Sequence, residues 1–152
     1  MAIEGTIAFV GAGNMGEALI RGLLRAGSVT ADRLRVAEPR LQRREEIADR
    51  FGLAVIGDNC EAVRGADLVV LAVKPQILEK VLDQIRDAVK PGALVISIAA
   101  GKSIAAIQRR LRPGTRVIRA MPNVPALVDR GATGVAGGAE TTDEDLEVAR
   151  RI

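Results

Sequence analysis

The sequence predicts an α/β fold: a doubly wound, mostly parallel sheet with helices on both faces. Two observations carry this. Apolar runs and helical patterns alternate along nearly the whole chain, as repeated strand–helix units require. Several of the apolar runs are near-continuous Val, Ile, Leu and Ala, which suits strands covered on both sides better than strands with one wet face.

The elements follow in order. Residues 6–10 read as a strand, 15–26 as a helix, 35–37 as a second strand and 41–51 as a charged helix. A short strand at 54–56 and a short segment near Ala62 precede the strand 68–73. In the helical pattern at 77–89, Ile77, Leu78, Val81, Leu82 and Ile85 share one face. Pro91 and Gly92 punctuate, and 94–98 is the next buried strand. Ser103 caps a short helix running through Leu111, and 116–118 is a strand. A last strand at 132–136 leads to a helix at 142–152 that opens with a Thr cap and an acidic first turn. The chain stops inside that last pattern, so a domain cut from a longer protein is expected.

Composition narrows the function classes. At 152 residues, 48% hydrophobic and 27% charged, residues 1–152 suffice for one domain with a real core. No apolar run is long enough to cross a bilayer and no export signal opens the chain, so a soluble, cytoplasmic protein is expected. Cys60 is the sole cysteine and histidine is absent, which argues against a disulfide framework or a metal site. The net charge of +3 is mild, with opposite charges interleaved as in Arg43, Arg44, Glu45 and Glu46. With 1% aromatic residues the chain lacks the stacking platforms of single-stranded nucleic acid binding, so nucleic acid is discounted as a partner.

The first strand runs into Gly11-Ala12-Gly13-Asn14-Met15-Gly16, which opens a helix. This is the dinucleotide fingerprint in its required strand–turn–helix context and makes the predicted fold Rossmann-like. Gly11 serves the tight turn, Gly13 lets the backbone approach a pyrophosphate, and Gly16 permits close helix–strand packing. The phosphates of NAD or NADP would rest on N–H groups at the helix amino end. The second strand leads to Glu38, about 22 residues past Gly16, near where an acidic side chain accepts from the ribose hydroxyls of NAD. Arg40, Arg43 and Arg44 pull the other way, because guanidinium groups there suit the 2′-phosphate of NADP. The choice between NAD and NADP stays open at this point.

Three further segments follow predicted strands: Ala72-Val73-Lys74-Pro75, Ser97-Ile98-Ala99-Ala100-Gly101 and Arg119-Ala120-Met121-Pro122-Asn123. In order and spacing they resemble the pyrroline-5-carboxylate reductases, and the likeness covers essentially all 152 residues. The resemblance implies hydride transfer from NAD(P)H to the small-molecule substrate 1-pyrroline-5-carboxylate, giving proline. It places Val73, Lys74 and Pro75 at the ribose and nicotinamide end with Ala99 and Ala100 nearby, Asn59 toward the adenosine, and Asn123 facing the nicotinamide. Pro122 and Pro125 would stiffen the loop around Asn123. Lys74 and Asn123 are then the catalytic candidates, while Ser97, Gly101 and Met121 are candidates for one wall of the substrate site. It also implies a carboxy-terminal helical domain, absent from this chain, that supplies the substrate loop and a homo-oligomer interface. The competing readings are a 3-hydroxyacid dehydrogenase or related imine reductase, and a non-catalytic NAD(P)-sensing module. An interaction-only role leaves the four loops without a reason.

Overall fold

The computed structural model describes residues 2–122 and 133–152. The strands are β1 (Ile7–Val10), β2 (Leu34–Ala37), β3 (Ala54–Ile56), β4 (Leu68–Leu71), β5 (Leu94–Ser97), β6 (Arg116–Pro122) and β7 (Thr133–Gly137). Between and after them lie the helices α1 (Asn14–Arg25), α2 (Leu41–Phe51), α3 (Asn59–Val63), α4 (Pro75–Ile85), α5 (Ile104–Gln108) and α6 (Asp143–Arg150). Among the described residues the strands form one sheet in the order β3-β2-β1-β4-β5-β6-β7. Every pairing is parallel except β6 with β7, which run antiparallel with Pro122 opposite Thr133. The expected doubly wound α/β architecture is therefore the one the chain adopts.

Two apolar cores, one on each face, explain why the central strands read as unbroken apolar runs. Along β1, Ile7 and Phe9 point toward Ile20 and Leu23 of α1 and Ile47 of α2. Ala8 and Val10 point the opposite way, toward Val63 of α3 and Leu78, Leu82 and Ile85 of α4. This is the period-two side-chain alternation of a strand with both faces dry. Phe9 is completely buried, a burial worth roughly 2–3 kcal/mol relative to exposure.

Several boundaries differ from the sequence expectation. β4 ends at Leu71 rather than at 73, because Ala72 N–H makes one last bond to Val10 O (2.8 Å) before the chain turns away. α4 starts at Pro75 and ends at Ile85, not at 77–89: a proline fits the first helical position, where its missing N–H costs nothing. α5 ends at Gln108, and the chain tightens into three-residue turns through Arg110 and Leu111. β6 extends past Ile118 to Pro122 because β7 pairs along it. At the far end the predicted Thr cap is a full capping box, with Thr142 and Asp145 each bonding the other's backbone N–H. Arg116 of β6 pairs with Asp145 and anchors α6 to the sheet.

Candidate functional site

Because β1, β4, β5 and β6 are parallel, their carboxyl ends share one edge, and the segments following them are brought together there. The glycine loop forms one end of this crevice. Gly11 has φ +100°, and a Cβ on it would lie 2.6 Å from Ala72 O, so the loop is folded directly against the chain leaving β4. Gly16 is buried, and a Cβ there would lie 2.9 Å from Gly11 O, which closes the helix onto the loop. Gly13 is different: no atom lies within 4 Å of where its Cβ would be. Its missing side chain relieves no internal contact and leaves open space beside the first turn of α1, whose amino end has no side-chain cap. Asn14 is exposed and Met15 half-buried at that turn. An open cradle beside uncapped N–H groups at the positive end of a helix fits a pyrophosphate.

The corner between β2 and α2 closes on the same loop. Glu38 is 3% exposed, and its Oε2 accepts from Ala12 N–H (3.1 Å). Its Oε1 accepts from the Arg40 backbone N–H (3.2 Å) and from Arg40 Nε (2.8 Å). Burial pushes this carboxyl up, but the bonds from Arg40 and from the Ala12 and Arg40 N–H groups outweigh it and hold it below the usual carboxylate range. Arg43 Nε donates to Ala12 O (2.7 Å), so both ends of the Ala12 residue are held from this corner. The rest of the Arg43 guanidinium pairs with Glu17 and Glu46. Arg44 Nη1 donates to the carbonyls of Glu38 and Pro39 (3.2 Å each), passing over Gly57, where a Cβ would lie 2.5 Å from it.

The remaining predicted residues are placed as follows. Val73 and Pro75 are half-buried and Lys74 is exposed at the start of α4. Ser97 is fully buried and its Oγ accepts from Ala99 N–H (3.2 Å), while Ala100 and Gly101 are exposed beyond it. Met121 is exposed at the end of β6 and Pro122 is half-buried. Asn59 does not cap its helix, since Asp58 does so by accepting from Glu61 N–H; the Asn59 amide donates to Gln84 Oε1 of α4 (2.9 Å). Cys60 Sγ lies 3.1 Å from Gln84 O. Asn123 and Pro125 lie outside the described residues.

Two features had no place in the sequence reading. Glu17 of α1, 9% exposed, takes both Arg43 and Arg50 of α2 and fastens the two helices together. Nothing local marks the pairing, since Glu17 lies 26 residues from Arg43 and 33 from Arg50. The other is Arg119, which the sequence placed in a motif without a role. It is half-buried; among the described residues its Nε has no hydrogen-bond partner, and Nη2 lies 3.5 Å from Met121 Sδ. Among the described residues no cluster of His, Cys, Asp and Glu is placed to hold a metal ion, and no helix is long and apolar enough to cross a membrane.

Comparison with known proteins fits this geometry. Residues 6–101 match the family described as NADP oxidoreductase, coenzyme F420-dependent. The chain is 40% identical over 146 residues to the pyrroline-5-carboxylate reductase of Methanosarcina acetivorans, covering 96% of this chain and 54% of that protein. The solved pyrroline-5-carboxylate reductase of Coxiella burnetii superposes with a TM-score of 0.91 at 32% identity, over 95% of this chain and 54% of that one. The Plasmodium falciparum pyrroline carboxylate reductase with NADP bound gives 0.84 at 26%, over 98% and 54%. The chain thus spans about half the length of the relatives it matches. It belongs to the family described as NADP oxidoreductase, coenzyme F420-dependent, and over that half it resembles the pyrroline-5-carboxylate reductases.

Proposed function

We propose that this chain is the dinucleotide-binding part of a cytoplasmic pyrroline-5-carboxylate reductase, which reduces 1-pyrroline-5-carboxylate to proline at the expense of NAD(P)H. One observation carries the reading: the glycine loop, Val73-Lys74-Pro75 and Ala99-Ala100-Gly101 follow strands, and Met121-Pro122 end one, at a single sheet edge. A fold alone does not specify a reaction, but four loops of this composition at one edge make a site.

The reduced nicotinamide supplies the hydride, and the chain's own residues do the rest. Gly11, Gly13 and Gly16, with the N–H groups of Asn14 and Met15, hold the phosphates. Val73 and Pro75 wall the ribose and nicotinamide end, with Ala99 and Ala100 beside them. Lys74 and Asn123 are the candidates to touch the reacting end. The imine enters already protonated, so its nitrogen needs no proton from the protein as hydride adds to carbon. Catalysis then rests on positioning and electrostatics, consistent with a chain that has no histidine. In this reading a helical domain beyond these residues brings most of the substrate carboxylate pocket and the homo-oligomer interface.

The test has two parts. Calorimetric titration of this chain with NADPH and NADH measures binding. Absorbance of the reduced cofactor, followed in the full-length protein with and without the imine, measures turnover. Binding together with imine-dependent oxidation supports the reductase. Binding without turnover makes the chain a nucleotide-sensing module, and absence of binding removes the reading. Lys74→Met is expected to leave cofactor affinity unchanged and turnover within a few-fold; a steep fall in turnover alone would assign the proton chemistry to Lys74.

A further inference from the structure

Among the described residues, Ser97 is the one uncharged polar side chain that is buried. It ends a strand whose other residues are all apolar, between Leu71 of β4 and Arg119 of β6. A hydroxyl in so dry a place costs free energy unless it is hydrogen-bonded. At 0% exposure Ser97 cannot itself line the substrate wall for which it was a candidate, so any part it plays there runs through the backbone. Ile98 N–H makes the last strand-to-strand bond of this segment, to Leu71 O (3.1 Å). Ala99, buried as well, comes after the chain has left its neighbours, and its N–H is taken by Ser97 Oγ (3.2 Å). A serine that accepts from the amide two residues on turns the chain locally and satisfies both groups at once. Ala100 and Gly101 then emerge, both exposed, at the carboxyl edge of the sheet. Beyond them Ser103 Oγ accepts from Ala106 N–H (3.1 Å) and starts α5. The exposed turn is thus held at each end by a serine, and of the two bonds only that of Ser97 is buried.

We infer that Ser97 is a positioning residue for hydride transfer: its buried bond to Ala99 N–H fixes Ala100 and Gly101 as a firm wall at the reacting end of the crevice. A hydrogen bond shielded from water is electrostatically stronger than an exposed one. Firmness matters at this place, because misplacing reacting groups by about 1 Å can cost about a hundredfold in rate. This rests on the proposed reading that the crevice carries hydride transfer from a nicotinamide.

The test compares Ser97→Ala with Ser97→Thr, which keeps the hydroxyl. Hydrogen exchange at the Ala99 amide is measured in the unliganded chain. Calorimetry measures binding of NADPH and of 2′-phospho-ADP-ribose, which lacks the nicotinamide. Single-turnover oxidation of NADPH by the imine is followed in the full-length protein. Ser97→Ala is expected to speed Ala99 exchange at least about tenfold. It is also expected to slow single turnover about tenfold and to weaken NADPH about threefold, leaving the nicotinamide-free fragment unchanged. Ser97→Thr is expected to restore slow exchange and most of the rate. An unchanged single-turnover rate in Ser97→Ala overturns the inference. So does an equal loss of affinity for NADPH and the fragment, which marks a general loosening of the fold rather than a displaced wall. Unchanged exchange at Ala99 overturns it as well, since the bond then holds nothing. If wild type oxidises no NADPH with the imine, the functional reading fails and the role in hydride transfer with it. The Ala99 exchange then still decides whether Ser97 holds the turn.

Discussion

The two ends of the crevice are built by different means. At the β1–β2 end, side chains close on backbone: Glu38 and Arg43 take the two ends of Ala12, Arg44 takes two carbonyls, and Glu17 joins α1 to α2. At the β5–β6 end, Ser97 bonds only two residues along the chain, to Ala99 N–H, and Arg119 keeps a buried Nε with no acceptor among the described residues. An unmet buried donor costs about 1–3 kcal/mol. The first end is thus tied together by its own side chains around the uncapped N–H groups of α1, whereas the second holds a buried donor that the described residues do not meet.

The contrast can be strained hardest at Gly11. Gly11→Ala places a Cβ against Ala72 O at a left-handed backbone position, and a loss of more than ~2 kcal/mol is expected. Thermal unfolding should show it as a Tm drop of roughly 5–10 °C; an unchanged Tm would mean the loop is not folded against β4 as described.

Glu17→Gln comes next, at about 1–3 kcal/mol, because it leaves two arginines without their shared charge. Its effect is pH-dependent. Burial pushes the Glu17 carboxyl up, but the bonds and charges of Arg43 and Arg50 outweigh this and hold it below the usual range. A lowered native pKa means the unfolded chain binds the proton first, so this stability is present above the ordinary carboxylate pKa and drains away as pH falls through the native one. Urea midpoints of wild type should therefore decline between roughly pH 5 and 3. Those of Glu17→Gln should decline less, and parallel curves would refute the assignment.

Gly13→Ala sharpens the comparison in the other direction. With open space at its Cβ position, the cost to stability should be no more than the poorer N-cap that Ala makes, about 1 kcal/mol, while NADPH affinity falls about tenfold or more. Equal affinity in the two proteins would put the phosphates elsewhere. The smallest effect belongs to Arg119→Met, expected to leave Tm unchanged or slightly raised, since it removes a donor that has no partner among the described residues. A Tm drop of several degrees would reveal a structural partner for Arg119.

Much of this was legible in the sequence, for identifiable reasons. The double winding shows because strands with two dry faces must be apolar throughout, and the glycine loop because Gly11, Gly13 and Gly16 occur between a strand and a helix. The helical pattern expected from residue 77 begins at Pro75, because a proline fits the first helical position without showing in the apolar periodicity, so the boundary moved by two residues. The antiparallel direction of β7 left no mark in a five-residue strand containing two glycines. Least legible was the division of labour among Arg40, Arg43 and Arg44. Arg40 and Arg44 stay with their neighbours Glu38 and Pro39, but Arg43 is drawn away by Ala12 and Glu17, which only the fold brings near.

The position of β1 at the middle of the sheet has a further consequence, in time rather than in space. The strand made first pairs with β2 on one side and β4 on the other, so its second edge stays unpaired until Leu68–Leu71 have been synthesised. Gly11 then acquires its packing surface only when Ala72 and Val73 arrive. A nascent chain emerging from the ribosome carries its nucleotide signature from the start but has no loop to offer a ligand until nearly half of these residues are made. Parallel pairing of this kind is slow to form, so cofactor capture is expected late in assembly, after the central strands have closed.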